Sequence, residues 1–435
     1  MPNQLKVRVW KAQALPTDWF KRTRTLDEKL AESVKAIIRK VAENGDAALI
    51  EFTEKFDNAK LETASIQVTK EEIKAAYNRV SEEQIAAIKF MKNKVSGFEK
   101  QGINQFKLKT AQDGIAIQSV LRPIESVGCY VPGGQAVYPS SVVMTAVPAK
   151  IAGVPRVVVC SPPNTEGAVH PLILVAADIC EVNEIYKVGG AQAIAALAYG
   201  TETMKPVKKI VGPGSRYVTA AKVLVSKDVA IDMPAGPSEV LVLADETADP
   251  EFVAWDMISQ AEHGADSIAG LITTSQKLAD TVAAQLERLA ASAERGEIVR
   301  KALAEQAFII TCDSTEQMVE LANVYAPEHL EIVTRSPAAV AEQVTSAGVI
   351  LLGAYTPVPL SDYGSGTNHV LPTGGFGHAF SGLSALDFTR RVNVVESSKA
   401  GLLKVKSQVE VLTEAENLPN HYRAIDARFK DENAT

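Results

Sequence analysis

The sequence predicts an α/β protein in which two halves each contain a parallel β-sheet covered by helices. Short runs of β-branched residues alternate with helical segments, and this alternation occurs twice, on either side of a turn at Pro234 to Pro237. Parallel strands need long crossover connections, which are usually helices, so this order favours sheets covered on both faces. We therefore expect two Rossmann-like α/β halves with parallel-sheet cores and a small helical C-terminal tail.

The composition is that of a soluble globular protein, with 46% hydrophobic and 22% charged residues. The net charge of -7 has no compensating basic tract, so we expect no nucleic acid and no membrane among the partners. The first residues lack the apolar core of a signal peptide, and we expect a cytoplasmic protein. The cysteines adjoin apolar segments far apart in sequence, which predicts buried free thiols at Cys129, Cys160, Cys180 and Cys312.

The elements follow from the changing period of the apolar residues. From Thr25 to about Lys100 the spacing is helical, and between Phe106 and Leu121 it falls to two, which predicts a pair of hairpin-like strands. Two runs of strands separated by helices come next: Val127 to Val131, Val157 to Cys160, Glu184 to Val188 and Lys209 to Val211, then Glu239 to Ala244, Ile268 to Thr273, Phe308 to Thr311, Leu330 to Val333 and Val349 to Leu352.

The end of the chain is predicted to be helical from about Ser397 to Glu416. Pro419 is unfavourable inside a helix but suits a first helical position, so we expect a break at Asn417-Leu418 and a short final helix. We divide the chain into one domain of residues 1–125 and 239–380 with the N-terminal helices, a nucleotide-binding half of residues 126–238, and a helical tail of residues 381–435.

One helix, from Asp249 to Gly264, organises the second half. Asp249 can cap it, Pro250 suits its first turn and Gly264 suits a left-handed stop. Gln260 and His263 are three residues apart, so their side chains leave the same side of the helix and could bind one cation, although a plain polar edge is the commoner explanation of such a pair taken alone. A broad apolar face is predicted from Phe252, Trp255, Met257, Ile258 and Ala261.

Three junctions of the first half place glycines between a strand and a helix: Val131-Pro-Gly-Gly, Val188-Gly-Gly-Ala-Gln and Val211-Gly-Pro-Gly-Ser. Glycines allow phosphates to approach backbone amides at a helix N-terminus, which suits a dinucleotide. The sequence lacks Gly-x-Gly-x-x-Gly and the phosphate-loop Gly-Lys-Ser/Thr, so tight turns without a ligand remain an alternative.

Polar residues near turns could carry chemistry. Glu328 and His329 follow a proline at the start of a strand and could move protons near neutral pH. Asp362 and His369 lie in a predicted loop with two glycines. Glu416 and His421 bracket the bend in the tail. Solvated loops or turns are the alternative at each place, but four of the six histidines occur in these settings, and nitrogen and oxygen ligands without a thiolate suit zinc, manganese or cobalt. These four are His263, His329, His369 and His421.

Several long strings in order resemble the histidinol dehydrogenase family over nearly the whole chain. They include Tyr130-Val-Pro-Gly-Gly, Ile231-Asp-Met-Pro-Ala-Gly-Pro-Ser-Glu, Ser259-Gln-Ala-Glu-His-Gly, Ala326-Pro-Glu-His-Leu and Asp362-Tyr-Gly-Ser-Gly-Thr-Asn-His. The resemblance implies a zinc-requiring, NAD-dependent, four-electron oxidation of L-histidinol through L-histidinal to L-histidine. It also implies a homodimer with shared active sites, in which the tails are exchanged.

The resemblance also implies roles for particular residues, with one zinc ion per subunit. The zinc ligands are Gln260, His263, Asp362 and His421, and the acid/base pair is Glu328 and His329. The substrate contacts are Ser238, Gln260, His263, Glu328, His329, Asp362, His369, Glu416 and His421. The NAD contacts are Tyr130, Gln192 and Ser215, where the family usually has asparagine at the last position.

Other functions agree with parts of this pattern. A zinc hydrolase could use the same ligands with Glu328 activating water, and it would need no nucleotide. A related zinc- and NAD-dependent dehydrogenase could act on another amino alcohol or polyol. A binding protein without catalysis would be expected to lack some of the candidate active-site residues, and none is missing.

Overall fold

The computed structural model describes residues 5–16, 19, 27–133 and 136–432. The chain forms two compact units. The larger unit contains the chain up to residue 100 and residues 124–388, and the smaller unit contains residues 101–123 and 389–435.

The elements alternate as the sequence predicts. In chain order the strands are β1 Arg8–Lys11, β2 Leu108–Gln112, β3 Ile115–Pro123, β4 Ser126–Tyr130, β5 Arg156–Cys160, β6 Glu184–Tyr186, β7 Lys209–Val211, β8 Ala230–Ile231, β9 Glu239–Ala244, β10 Ile268–Thr273, β11 Phe308–Thr311, β12 His329–Val333, β13 Val349–Leu352 and β14 Thr389–Ser397. The α-helices are α1 Glu28–Asp57, α2 Lys70–Tyr77, α3 Glu82–Gln105, α4 Pro139–Ile151, α5 Pro171–Ile179, α6 Gly190–Tyr199, α7 Arg216–Val225, α8 Pro250–Ala261, α9 Gln276–Ala290, α10 Gly296–Glu305, α11 Thr315–Tyr325, α12 Pro337–Ala341, α13 Val358–Tyr363, α14 Lys399–Ala415 and α15 Pro419–Asp426.

The first half contains a five-stranded sheet with the order β6-β5-β4-β7-β8, and every pairing in it is parallel. The chain fills one side of β4 with β5 and β6, then crosses to the other side with β7 and β8. The carboxyl ends of β4 and β7 therefore flank the point where the strand order reverses, which is where open α/β sheets bind ligands.

The second half contains a six-stranded sheet with the order β1-β11-β10-β9-β12-β13, which is also parallel throughout. Every residue of β9 is buried, as expected for a central strand covered on both faces. Helices α8, α9 and α10 pack on one face, and α11 packs on the other. The predicted class of two parallel α/β halves is confirmed.

The N-terminal helices pack on the first sheet. Val34 and Leu49 of α1 share an apolar cluster with Val158 of β5, and Met91 of α3 shares another with Val127 of β4. Of the described N-terminal elements, β1 is the one that joins the second sheet, where it pairs with β11, and the sequence pattern did not reveal it. The predicted division groups residues 1–125 with the second half, whereas the helices within this range pack on the sheet of the first half. Thr25 and Leu26, where the predicted helix begins, lie outside the described residues.

Helix α8 begins as predicted and ends earlier than predicted. The Asp249 carboxylate accepts a hydrogen bond from Glu251 N at 2.8 Å, and Pro250 is the first helical residue. The helix ends at Ala261, so His263 lies two residues beyond it, and Gly264 does not adopt the left-handed conformation. Of the predicted apolar face, Met257, Ile258 and Ala261 are buried. The prediction is wrong for the two aromatic residues, since Phe252 and Trp255 are exposed.

The smaller unit is an antiparallel sheet followed by two helices. The predicted hairpin is confirmed as β2 and β3, and β14 pairs with β3 along its whole length. The tail is therefore not wholly helical as predicted, since residues 389–397 form this strand. The predicted break is confirmed, because Asn417 adopts φ +56, which asparagine tolerates better than most residues, and Pro419 opens α15.

The cysteines are buried free thiols, as the sequence predicts. All four cysteines are buried and unpaired, and burial raises the pKa of each, for example to about 12 for Cys129, so they stay protonated near neutral pH. Within the described ranges, no helix combines the length and the apolar character needed to cross a bilayer.

Candidate active site

The predicted acid/base pair lies at the amino end of β12. The register of the sheet sets His329 beside Val240 of β9 and Val349 of β13. Glu328 is 6% exposed and His329 is 4% exposed. The alternative of a solvated loop end is therefore wrong, and the burial of two ionisable groups points to a function.

The backbone of Glu239 holds both members of this pair. Its N–H donates to Glu328 Oε2 at 2.7 Å, and its carbonyl oxygen lies 2.9 Å from His329 Nδ1. A carbonyl only accepts, so Nδ1 carries the hydrogen. His329 Nε2 has no hydrogen-bond partner among the described residues and lies 3.6 Å from Asp362 Oδ1. Nε2 is therefore the atom that can exchange a proton with a ligand.

Burial and neighbouring charges perturb both groups. Burial raises the pKa of Glu328 well above that of an ordinary carboxyl group. Burial alone would lower the pKa of His329, but the carboxylates of Glu328 and Asp362 outweigh it and raise that pKa. Groups whose proton affinity is shifted in this way by burial and by a specific partner are typical of acid/base sites.

Two predicted metal ligands, Asp362 and His263, lie near His329, and a third, Gln260, is buried near the end of α8. Gln260 is 1% exposed, and its Oε1 has no hydrogen-bond partner within the described part of the chain. Asp362 Oδ1 is also buried without such a partner. His263 is half-buried and interacts electrostatically with Asp362 and His329. Asp362 was expected in an exposed loop, but it lies in α13 and is buried.

The protonation of these groups suits cation binding. Burial lowers the pKa of His263, so its imidazole is neutral near pH 7. Burial would raise the pKa of Asp362, but the neighbouring imidazoles, including those of His329 and His369, lower it overall and keep the carboxylate ionised. No group of three or more His, Cys, Asp or Glu in the described ranges is arranged to hold a metal ion. That criterion does not count amide oxygens such as Oε1 of Gln260.

The remaining predicted substrate contacts fall in two places. Ser238 directly precedes β9, and its carbonyl oxygen accepts a hydrogen bond from Ile268 N at 2.9 Å. His369 is half-buried and interacts with Asp362. Glu416 and His421 belong to the smaller unit, where they lie on either side of the break between α14 and α15, and both are exposed.

The predicted nucleotide contacts surround the carboxyl ends of β4 and β7. The Tyr130 hydroxyl accepts a hydrogen bond from Gly190 N at 3.1 Å, at the start of α6. Gln192 follows in the first turn of α6 with a 1% exposed side chain, and neither atom of its amide has a hydrogen-bond partner among the described residues. Ser215 is exposed at the N-terminus of α7, and its side chain makes no capping hydrogen bond.

Close packing explains why these junctions contain glycine. A Cβ atom on Gly189 would lie 2.5 Å from Cβ of Pro162, and one on Gly214 would lie 3.1 Å from Cε1 of Tyr130. Tight turns therefore account for the glycines, whereas the fold leaves the amide of Gln192 without a partner in the part of the chain that is described. Gly134, which ends the first predicted junction, lies outside the described residues.

The two halves of the larger unit meet beside these sites. The Asn368 side-chain amide donates to Met144 O at 2.7 Å, which ties the loop after α13 to α4. Tyr138, just before α4, interacts electrostatically with Glu262, the neighbour of His263. The nucleotide contacts and the acid/base pair thus belong to one connected part of the fold.

The sequence did not reveal a buried pair of carboxyl groups behind the site. Glu331 Oε1 accepts a hydrogen bond from Val358 N, the first residue of α13, at 2.8 Å, and the neighbouring carboxyl group of Asp256 on α8 raises the pKa of Glu331 further after burial. The positions of Glu331 and Asp256 relative to the predicted site residues were the signal in the sequence that could have revealed this pair. Glu331 shares a strand face with His329, and Asp256 precedes Gln260 by one helical turn. The pair thereby connects the three elements that carry Gln260, His329 and Asp362.

Comparisons with known proteins agree with one another. The family model described as histidinol dehydrogenase matches residues 20–429. The histidinol dehydrogenase of Clostridium acetobutylicum is 47% identical over 92% of this chain and 93% of its own length, and that of Methanocaldococcus jannaschii is 46% identical over 93% of each. The crystal structure of histidinol dehydrogenase from Elizabethkingia anophelis covers 98% of this chain and 99% of its own, with a TM-score of 0.93 and 38% identity. An acetylating aldehyde dehydrogenase from Geobacillus thermoglucosidasius, with a TM-score of 0.50 and 14% identity, shares the fold alone.

The carboxyl pair predicts a pH dependence of stability. When a buried and a half-buried carboxyl group are neighbours, as Glu331 and Asp256 are, their repulsion and the loss of water favour a state in which they hold one proton between them. Burial raises the pKa of Asp256 to about 6, and burial together with Asp256 raises that of Glu331 well above its ordinary value. Both values exceed those of the unfolded chain. The contribution of the pair to stability is therefore complete below about pH 4 and is lost as the pH rises through about 6 and beyond.

We expect Asp256→Asn, which keeps a hydrogen bond without needing the shared proton, to lessen the fall in Tm between about pH 5 and about pH 9 by about 2 °C or more. Thermal unfolding at several pH values measures this. Asp280→Asn, at an exposed position on α9, serves as the control and should keep the wild-type pH dependence. The same pH dependence in Asp256→Asn as in the wild type would contradict the shared proton.

Proposed function

Because this chain belongs to the histidinol dehydrogenase family, an oxidoreductase family of histidine biosynthesis, we propose that it oxidises L-histidinol through L-histidinal to L-histidine and reduces two NAD molecules. The observation that carries this proposal is the buried pair of Glu328 and His329. The Glu239 backbone fixes both, and Nε2 of His329 is left available near Asp362 and His263.

We propose that a zinc ion is bound by Gln260, His263, Asp362 and His421. The unpartnered buried oxygens of Gln260 and Asp362 and the neutral imidazole of His263 support the first three ligands. When bound, the zinc ion would hold the imidazole and the amine of the substrate and act mainly as a template. Ser238, His369 and Glu416 would contact the rest of the substrate.

The first oxidation removes a hydroxyl proton and a hydride from the same carbon atom of L-histidinol. His329 takes the proton at Nε2, because its Nδ1 is occupied by the Glu239 carbonyl. When bound, NAD would supply the hydride acceptor for this oxidation and for the next. The enclosed position of His329 keeps bulk water away from the proton while it is transferred.

The second oxidation needs water, because the aldehyde has no hydroxyl group to lose a proton. Glu328 takes a proton from a water molecule, whose oxygen forms a bond to the aldehyde carbon. His329, which has released the first proton to solvent between the two oxidations, takes the proton released as hydride leaves. Burial makes Glu328 a stronger base than an ordinary carboxylate, which suits this task. Keeping the aldehyde bound between the two steps prevents the loss of a reactive intermediate.

For NAD we propose contacts at Tyr130, Gln192 and Ser215. The amide of Gln192 has unused hydrogen-bonding capacity, and Ser215 stands exposed where the backbone N–H groups of α7 begin. Serine is shorter than the asparagine usual in the family and has no amide. The backbone around Ser215 would therefore carry more of the contact than its side chain.

We propose a homodimer in which each active site uses the tail of the partner subunit. The larger unit supplies three donors for a cation that prefers four, while Glu416 and His421 lie exposed on a separate compact unit. Terminal elements of this kind are readily exchanged between protomers.

The yield of NADH tests the proposed reaction. Four-electron oxidation predicts about two NADH per L-histidinol when substrate is limiting and NAD and zinc are in excess, because each two-electron step reduces one NAD. Absorbance of NADH gives the yield, and amino-acid analysis identifies the product. Protein stripped by a strong chelator should give almost none until zinc is restored. One NADH per substrate would reject the four-electron reaction, and activity on other amino alcohols but not on L-histidinol would reject the substrate.

The roles of the acid/base pair predict different losses in the two steps. Glu328→Gln removes the base that activates water, so oxidation of L-histidinal should fall by about 10²-fold or more, while oxidation of L-histidinol stays within about tenfold of wild type. Supplying each compound separately and following NADH in single turnovers measures both rates. Glu342→Gln, at an exposed position of the same half, is the matched control. Equal losses in the two steps would contradict this division of roles.

Exchange of the tails predicts recovery of activity from two inactive variants. His263→Ala and His421→Ala, unfolded and refolded together, should form mixed dimers in about half of the random pairings. If tails are exchanged, each mixed dimer has one site with both substitutions and one site with neither. About a quarter of wild-type activity should therefore return, whereas each variant refolded alone stays inactive. No activity from dimers shown to be mixed would place His421 in the site of its own subunit.

A further inference from the structure

An ion pair is buried beneath the first sheet, between Lys222 of α7 and Asp232, which directly follows β8. Their side chains are 2% and 1% exposed. Removing two charges from water is unfavourable unless they are paired and their remaining hydrogen-bonding capacity is used. The hydrogen bonds that Lys222 and Asp232 make beyond their ion pair show which part of the backbone they hold in place.

Both partners hydrogen-bond to Gly212. Lys222 Nζ donates to Gly212 O at 2.9 Å, and Gly212 N donates to Asp232 Oδ2 at 2.8 Å. The two charges thus hold the two polar backbone groups of a single residue. Gly212 adopts φ +115, and a Cβ atom there would overlap the backbone oxygen of Tyr130, so the turn can pass here only with glycine.

Gly212 opens the turn of residues 212–215 between β7 and α7. Two residues later, Gly214 packs against the ring of Tyr130, and Ser215 stands at the N-terminus of α7. The position of Gly212 therefore determines where this turn and the first N–H groups of α7 lie relative to Tyr130. The ring of Tyr130 is itself held by Gly190 N.

We propose that Lys222 and Asp232 are positioning residues for NAD. They hold Gly212 so that the turn of residues 212–215 and the N-terminus of α7 face the dinucleotide in a fixed arrangement. This inference rests on the proposed use of NAD and adds residues that touch no ligand themselves, since both are buried. A purely structural ion pair would stabilise the fold without affecting NAD binding more than substrate binding.

Paired substitutions separate these two roles, because losing one charge alone would leave the other buried and unpaired. Lys222→Met with Asp232→Leu removes both hydrogen bonds to Gly212 while keeping the site filled. Lys222→Gln with Asp232→Asn removes the charges but keeps an amide donor for Gly212 O and an amide oxygen for Gly212 N. If the first pair does not fold, Lys222→Met with Asp232→Asn, which removes only the donor to Gly212 O, takes its place.

We expect the Met/Leu pair to weaken NAD binding by about tenfold and the Gln/Asn pair to stay within about threefold of wild type. The substitute Met/Asn pair should weaken NAD binding by about threefold or more. Titration calorimetry with NAD and with NADH measures binding without turnover, and hydrogen exchange reports the protection of the Gly212 amide. The KM for NAD should rise with the dissociation constant, while the KM for L-histidinol and the zinc content stay at wild-type levels.

An ion pair elsewhere in the same sheet provides the matched control. Arg156 and Glu184 form a two-point pair at the amino ends of β5 and β6, away from the carboxyl ends where NAD is proposed to bind. Arg156→Met with Glu184→Leu should leave NAD binding unchanged, even if Tm falls.

The results distinguish this inference from the proposed function. If the wild-type protein binds NAD and the Met/Leu pair, or the pair that replaces it, binds NAD equally well, the positioning role is overturned. The proposed function would stand in that case. Equal losses for NAD and L-histidinol would also overturn the positioning role, because they indicate general damage. Wild-type protein that neither binds NAD nor produces NADH would reject the proposed function, and this inference with it.

Discussion

The parallel pairing of β12 with β9 is the constraint on which the active site depends. Because His329 aligns with Val240, the peptide of Glu239 lies where its N–H reaches Glu328 and its carbonyl oxygen reaches His329. A shift of this pairing by one residue would turn every side chain of β12 to the opposite face. The apolar residues of both strands prevent such a shift, so the same burial that stabilises the sheet also fixes the tautomer of the histidine.

The site is surrounded by carboxyl groups that the fold keeps out of water. Glu239, Glu328, Glu331 and Asp362 are buried. Backbone N–H groups compensate part of the free-energy cost of removing these carboxylates from water, since Glu239, Val358 and Gly374 each donate one hydrogen bond to a carboxylate. Protonation and imidazoles compensate another part, because burial and Asp256 raise the pKa of Glu331, and Asp362 lies beside His329. The large apolar cores of both halves stabilise the fold enough to tolerate the part of this cost that is not compensated.

Much of the fold could be predicted from the sequence, because parallel strands buried on both faces leave apolar runs with clear ends. The predictions missed features that depend on residues distant in sequence. Strands β1 and β14 are mostly exposed and lie at sheet edges, so their residues carry no apolar run, and only their partners β11 and β3 define them. The exposure of Phe252 and Trp255 could not be predicted either, since helical spacing shows which residues share a face but not what covers it. In the site, motif resemblance identified Glu328 and His329, whereas the roles of Glu239, Glu331 and Asp256 became visible only when three elements were brought together.

The unpartnered buried atoms are the strongest physical argument that this arrangement is functional. Oε1 of Gln260, Oδ1 of Asp362, Nε2 of His329 and both amide atoms of Gln192 have no hydrogen-bond partner among the described residues. Each such atom costs about 1–3 kcal/mol, so a sequence shaped by stability alone would have paired or replaced them. The Asp362 and His329 atoms lie 3.6 Å apart at the amino end of the second sheet. The Gln192 atoms lie beyond the carboxyl ends of the first sheet, in a unit whose halves are joined by Asn368 and Met144. The proposed metal-bound substrate and the proposed nucleotide would satisfy the two groups, and the connection between the halves would hold both ligands in one framework, as the proposed hydride transfer requires.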